Sequence, residues 1–354
     1  MQRLRAFLIR EWLLVLAAFG AILSGGFADE QPTISVDERD VIWILAGLFW
    51  IVSGLKHTNV LSFIAEHIER GRRVAPKLIL LSFFLSMFMT NDAVLILIVP
   101  VTLSLSLPHT DWLVILEALT VNAGSALTPI GNPQNLFLYW FYHLNPTDFI
   151  GVIAPFSLLF LMLLLPPAFA IRDVIPTDRP PKTETISKAG WFYVGMLIVI
   201  LLGVMHLLPL WPVALVPLYA LLFDRQVLRI DYSLLAVFVF FFIIANHLAH
   251  IYPVHLDNPR EVFLYGTGLS QIISNVPTTI LLAKFTPHWP ALLWGVNAGG
   301  FGTLFGSLAN LIAWRIYLRQ QRTLVHPIRF TLLFLGAGLT SLWIAVGWYF
   351  WLTT

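Results

Sequence analysis

Along this chain, long apolar runs alternate with short breaks that hold charge, glycine or proline. Trp12 to Gly25, Phe149 to Ile171, Trp191 to Leu208, Tyr232 to Ile251 and Phe330 to Leu352 approach or exceed the roughly 20 apolar residues that cross a hydrocarbon core of about 30 Å. Such segments must be helices, because lipid offers the backbone no hydrogen-bond partner. The pattern predicts an all-α polytopic membrane protein of about nine full spans, with the N-terminus in and the C-terminus out. The predicted chain crosses at 7–25 and 41–66, enters and returns on one side as a hairpin at 74–108, and crosses again as a broken helix at 111–142. A charged, proline-rich cytoplasmic linker at 172–188 precedes a second hairpin at 260–286 and a second broken helix at 289–314. Residues 1–171 and 189–354 thus read as two halves of opposite direction, the second with one extra linking helix.

Composition sharpens this picture. Of 354 residues, 58% are hydrophobic and 11% charged, too few charges to cover so much apolar side chain in water. The net charge of +2 says little as a total, but its placement orients the chain. Of the 21 lysines and arginines, all but Arg39, Arg260, Lys56 and Lys284 fall on predicted cytoplasmic segments, as the positive-inside rule requires. The basic N-terminus ahead of the first apolar run resembles a signal peptide, and is read here as an uncleaved first helix. The chain has no cysteine, which excludes disulfides, thiolate metal sites and thiol nucleophiles.

The chemistry lies in an internal repeat. Asn122-Ala-Gly-Ser-Ala-Leu-Thr128-Pro129-Ile-Gly131-Asn132-Pro-Gln-Asn135-Leu136 and Asn297-Ala-Gly-Gly-Phe-Gly-Thr303-Leu-Phe-Gly306-Ser307-Leu-Ala-Asn310-Leu311 agree at seven of fifteen positions without a gap. Upstream of each lies a matched hairpin tip, Thr90-Asn91-Asp92 and Ser274-Asn275-Val276, the second followed by Thr278. Glycine and proline interrupt the helical hydrogen-bond ladder, and irregular backbone at membrane depth is tolerated only where protein or a water-filled cavity covers it. Half-helix N-termini then attract an anion, while freed carbonyls and hydroxyls suit a cation. Sodium sites are expected at the Asn91/Thr128 and Asn275/Thr303 clusters, and sodium or a proton is the expected coupling ion. The same small and polar residues also serve as ordinary glue between membrane helices.

At these motifs the chain resembles the ion transporter superfamily, which includes arsenite permeases, a class of sodium/proton antiporters and divalent-anion/sodium symporters. It looks most like the small YbiR-type inner-membrane transporters. Thr90 to Pro100 and Thr128 to Asn135 are similar to the first-half motifs of that superfamily, and Ser274 to Thr278 and Gly306 to Asn310 to its second-half motifs. The resemblance implies a homodimer in the bacterial inner membrane, with a scaffold and a moving domain that work by an elevator motion. It implies secondary transport of a small anion, oxyanion or carboxylate coupled to sodium or protons, with no cofactor and no nucleic acid involved. Arsenite-type efflux and sodium/proton antiport are the alternatives. The dicarboxylate symporters carry Ser-Asn-Thr at both tips, whereas Asp92 here would repel a dianion in a low-dielectric site.

Asp92 is the sharpest single candidate, since an ionisable group at membrane depth is costly and functional by default. It is expected to bind a cation or proton, or to cap the second hairpin arm. Lys56 and His57, and Asn246 and His247, stand at similar places before the two hairpins, and Lys284 is expected to snorkel. No His-Glu-x-x-His, Gly-x-Ser-x-Gly or Walker sequence occurs, so an enzyme is not expected. A channel would use the same broken helices.

Overall fold

The computed structural model describes residues 11–26, 34–58, 60, 63, 73–105, 107–171, 187–252, 254–320 and 326–354. The expected linker at 172–188 lies almost wholly outside them, as does the last stretch of the predicted 41–66 crossing. The described residues are helical, without strands. In chain order the helices are α1 (Trp12–Gly25), α2 (Val36–His57), α3 (Val74–Ser86), α4 (Asn91–Ser104), α5 (Thr110–Ala126), α6 (Pro133–Phe141), α7 (Pro146–Phe169) and α8 (Lys188–Val204). They continue as α9 (Leu215–Phe223), α10 (Tyr232–Ile251), α11 (Pro259–Ile273), α12 (Asn275–Ala283), α13 (Trp289–Gly299), α14 (Leu308–Arg319) and α15 (Pro327–Thr353).

Helix ends follow local chemistry. A capping box starts α2, where Ser35 Oγ accepts from Glu38 N–H (3.2 Å) and Ser35 N–H donates to Glu38 Oε2 (2.8 Å). Asn132 caps α6 by accepting from Asn135 N–H at 2.9 Å, with Pro133 at the first helical position. Ser307 caps α14 through Ala309 N–H. By length and composition, Val36–His57, Pro146–Phe169, Arg225–Ile251 and Pro327–Thr353 can each cross a membrane.

Short helices separated by short breaks occupy the segments where hairpins and broken helices are expected. The first hairpin turns at residues 87–90 between α3 and α4, and the second at Ser274 alone between α11 and α12. The first broken helix is α5 and α6, interrupted at 127–132. The second is α13 and α14, interrupted at 300–307 and running on to Arg319 rather than stopping at 314. Packing crosses between the halves: α1 lies on α10 and α8 on α2, while α4 lies on α14 and α12 on α6. The interrupted helices are the centre of this arrangement, for nearly every residue of α5 and α13 is buried.

Candidate functional site

The breaks are held by hydrogen bonds that recur at matched positions. Asn91 N–H donates to the Gly131 carbonyl at 3.0 Å, and Asn275 N–H donates to the Gly306 carbonyl at 3.0 Å. Each hairpin tip is thereby tied to the break of its own broken helix. Gly131 N–H donates to Thr128 Oγ1 (3.1 Å), and Gly306 N–H donates to Thr303 Oγ1 (3.2 Å). The Thr128 hydroxyl donates to the Met87 carbonyl and the Thr303 hydroxyl to that of Gln271. Asn135 Nδ2 donates to the Ser125 and Thr128 carbonyls, both at 3.3 Å, and Asn310 Nδ2 to those of Gly300 (2.9 Å) and Thr303 (3.2 Å). The glycines are required by space: a Cβ on Gly131 would stand 2.7 Å from the Ser86 carbonyl oxygen, and one on Gly306 would stand 2.6 Å from that of Phe301.

The two motifs also bond to each other. Asn122 Nδ2 donates to Asn310 Oδ1 at 2.7 Å, and Asn297 Nδ2 donates to Asn135 Oδ1 at 2.8 Å. Ser307 Oγ donates to Asn122 Oδ1 (3.1 Å), and Asn132 Nδ2 donates to Asn297 Oδ1 (3.3 Å). Asn91 Nδ2 adds a longer bond to Asn122 Oδ1, 3.4 Å. These side chains are all buried, so the network fixes the geometry where two helices are open, at low dielectric and with little competition from water.

Beside the network lies a narrow cavity with room for water centres over about 20 Å³. Its wall is made by the first residues of four helices: Asn91 and Asp92 of α4, Pro133 and Gln134 of α6, Asn275, Val276 and Pro277 of α12, and Ser307 and Leu308 at the start of α14. Ser274 joins them from the second tip, and Leu13, Leu234, Val237 and Phe238 of α1 and α10 close the apolar side. Four partial positive helix ends therefore face one space. Among the described residues no lysine, arginine or histidine lines it, and Asp92 is the one charged residue there.

Of the residues expected at a site, Asn91, Asp92, Ser274, Asn275 and Ser307 line this cavity. Asn122, Asn132, Asn135, Asn297 and Asn310 form the network behind it, and Gly131 and Gly306 tie the tips to the breaks. The hydroxyls of Thr128 and Thr303 are spent on backbone groups at the expected sodium clusters. Thr278 bonds back to the Ser274 carbonyl at 2.8 Å, while Thr90 is the N-cap of α4 and Pro129 lies within the break.

Asp92 does not cap its helix arm. Asn91 Oδ1 accepts from the Asp92 N–H at 2.9 Å, and Asp92 Oδ1 is left without a donor among the described residues. Lys56 and His57 are exposed, whereas Asn246 and His247 bond to Glu38 Oε2 (3.2 Å) and Ser24 Oγ (2.8 Å), so neither pair reaches the cavity. Lys284 does not snorkel. Its Nζ sits 2.9 Å from buried Glu38 Oε1 and 4.7 Å from the Phe141 ring centroid.

Gln134 was missed as a site residue. It is 2% exposed, lines the cavity and has no donor to Oε1 among the described residues. Its signal was present, a polar residue at the start of a half-helix where the second motif has Ala309, but reading for identities between the copies passes over it. Gln271 was also missed: its side chain accepts from Thr303 N–H (2.9 Å) and donates to the Gly299 carbonyl (2.8 Å), so it braces the second break.

Comparison with known proteins adds the family. A family model described as citrate transporter matches residues 6–291. The inner membrane protein YbiR of Escherichia coli is 36% identical over 324 residues, 86% of each chain. The uncharacterized transporter MJ0456 of Methanocaldococcus jannaschii is 34% identical over 291 residues, covering 79% of this chain and 81% of its own. The uncharacterized transporter Rv2684 of Mycobacterium tuberculosis is 27% identical over 335 residues, 77% of each chain.

Proposed function

Because the chain belongs to the citrate transporter family, and so is a membrane transporter rather than an enzyme, we propose that it is a secondary transporter of a small anion or oxyanion coupled to sodium or protons. With an inner-membrane relative along most of its length, it works in the inner (cytoplasmic) membrane. The observation that carries the anion reading is the meeting of four half-helix N-termini in one cavity that has no basic side chain among the described residues. Helix ends bind an anion without a fixed positive charge, so release costs less than it would from an arginine clamp. Asp92 in the same cavity disfavours a highly charged anion arriving alone and supplies a place for the coupling ion.

In this reading the two halves are inverted repeats around one site, and the matched hydrogen bonds at both breaks support it. The hairpins and broken helices (α3–α6 and α11–α14) form a carrier against a frame of α1, α2 and α8–α10. A homodimer would hold two such frames fixed while each carrier moves. The family's name favours a carboxylate as substrate, and the narrow cavity is then a closed state that must open to admit one.

Thermal unfolding of the detergent-purified protein tests this across sodium, pH and a panel of citrate, dicarboxylates, phosphate, sulfate and arsenite. A ligand at 100 times its dissociation constant should add about 2.7 kcal/mol to the folded state. Stabilisation by one anion, with matching uptake into proteoliposomes, identifies the substrate. If every anion is silent while sodium or pH alone shifts unfolding and Asp92→Asn abolishes that shift, cation/proton exchange replaces anion transport.

A further inference from the structure

We propose, resting on the transport reading above, that the coupling ion is a sodium-sized cation bound between the Asp92 carboxylate and the Gln134 side-chain carbonyl. Most of the polar atoms expected to hold sodium are occupied. Thr128 and Thr303 give their hydroxyl protons to carbonyls and accept from glycine N–H groups, and Asn122, Asn135, Asn297 and Asn310 are bonded across the two motifs. Among the described residues, two oxygens in residues lining the cavity remain without a donor, Asp92 Oδ1 and Gln134 Oε1. Leaving either oxygen dry and unpaired is costly. A carboxylate and an amide carbonyl are hard oxygen donors, the kind that hard cations take.

Position and charge agree with this. Asp92 and Gln134 lie in the first turns of α4 and α6, and both halves of the wall they form belong to the first motif. At the matched places the second motif carries Val276 and Ala309, so the duplicated frame provides one such pair. The helix ends of the second motif, without a carboxylate beside them, are left to the anion. The free space, about 20 Å³, suits one ion or water at a time. Remaining coordination positions fall to water or to an oxygen of the anion, which couples the two ligands by direct contact.

The test follows unfolding by intrinsic tryptophan fluorescence, the chain having 13 tryptophans, in sodium, with potassium making up constant ionic strength. Sodium should stabilise the wild type, and Asp92→Asn should abolish the effect. Gln134→Ala should raise the half-saturating sodium about tenfold, the size of losing one charge-assisted contact, with the sodium-free unfolding temperature little changed. Gln134→Glu, which keeps an oxygen at that place, should bind sodium at least as tightly as the wild type, and it decides the matter if the alanine variant does not fold. Equal sodium response in wild type and Gln134→Ala, weaker sodium binding by Gln134→Glu, or a wild type that answers to pH and not to sodium overturns the proposal. The anion response measured in the same samples stands or falls separately, so failure of the cation site is distinguishable from failure of the transport reading.

Discussion

At the first hairpin tip Asn91 ties its N–H to Gly131 and is followed by Asp92; at the second, Asn275 ties its N–H to Gly306 and is followed by Val276. The backbone bonds have the same length, 3.0 Å, while the chemistry one residue later differs by a full charge. Gln134 against Ala309 repeats the contrast at the helix starts. The bonds that hold the two breaks open match, while the residues that face the cavity differ. Symmetric positions are therefore best read as construction, and asymmetric ones as candidates for selectivity.

The most direct way to break this comparison is to make the first tip a copy of the second. Asp92→Val should reduce cation-coupled uptake into proteoliposomes by about 100-fold or more, since an ionisable group at this depth is functional by default. It should leave thermal stability equal or higher, because a carboxylate oxygen without a donor no longer has to be buried. Uptake at the wild-type rate would return Asp92 to the role of a passenger.

A second asymmetry lies at the far end of the second hairpin, where Lys284 stands at the register of Pro100. Its ion pair with Glu38, 2.9 Å long and fully buried on the glutamate side, joins that hairpin to the start of α2. Nothing of this kind can form at Pro100. Glu38→Ala should cost about 3 kcal/mol, the lower end for breaking a buried pair because Lys284 retains some exposure. Glu38→Gln combined with Lys284→Met should recover most of that loss in the same unfolding assay. A loss under about 0.5 kcal/mol for Glu38→Ala would reduce the pair to a surface contact.

Where the copies are alike, variants should be alike. Asn122→Ala removes the donor to Asn310, and Asn297→Ala removes the donor to Asn135. Each strands a buried amide oxygen, so each should lower stability by about 2 kcal/mol. Losses that differ by more than about 1 kcal/mol would mean that the two breaks are not equivalent in energy.

Much of this arrangement was legible in the sequence. The apolar runs placed α1, α7, α8, α10 and α15 to within a few residues, because length and hydropathy alone decide such helices. Both breaks fall at a Thr-x-x-Gly sequence, where the glycine N–H donates to the threonine hydroxyl. Less visible was which polar atoms would be consumed. Thr128 and Thr303 looked like ligands and act as braces, because a hydroxyl beside an open helix end is claimed by the nearest carbonyl. The partners of Lys284 were hidden for another reason: Glu38 and Phe141 come from remote segments, and no local pattern announces a pair formed by packing.

The smallest effect separates the tips by sign. Ser274 is the whole turn between α11 and α12, at φ 74° and ψ 155°, a region nearly reserved for glycine. Thr90, its counterpart, has φ −60° and ψ 142°, ordinary extended backbone. Ser274→Gly should relieve strain of about 1–3 kcal/mol and lose part of that gain to the freer unfolded chain. The net is a stabilisation of about 1 kcal/mol, since the 3.4 Å contact from Ser274 Oγ to Asn275 Oδ1 is too long to matter much. Thr90→Gly has no strain to relieve and should destabilise by about 1 kcal/mol. Thermal unfolding of the two variants beside the wild type reads both shifts, and equal signs would show that the tips share their turn conformation after all.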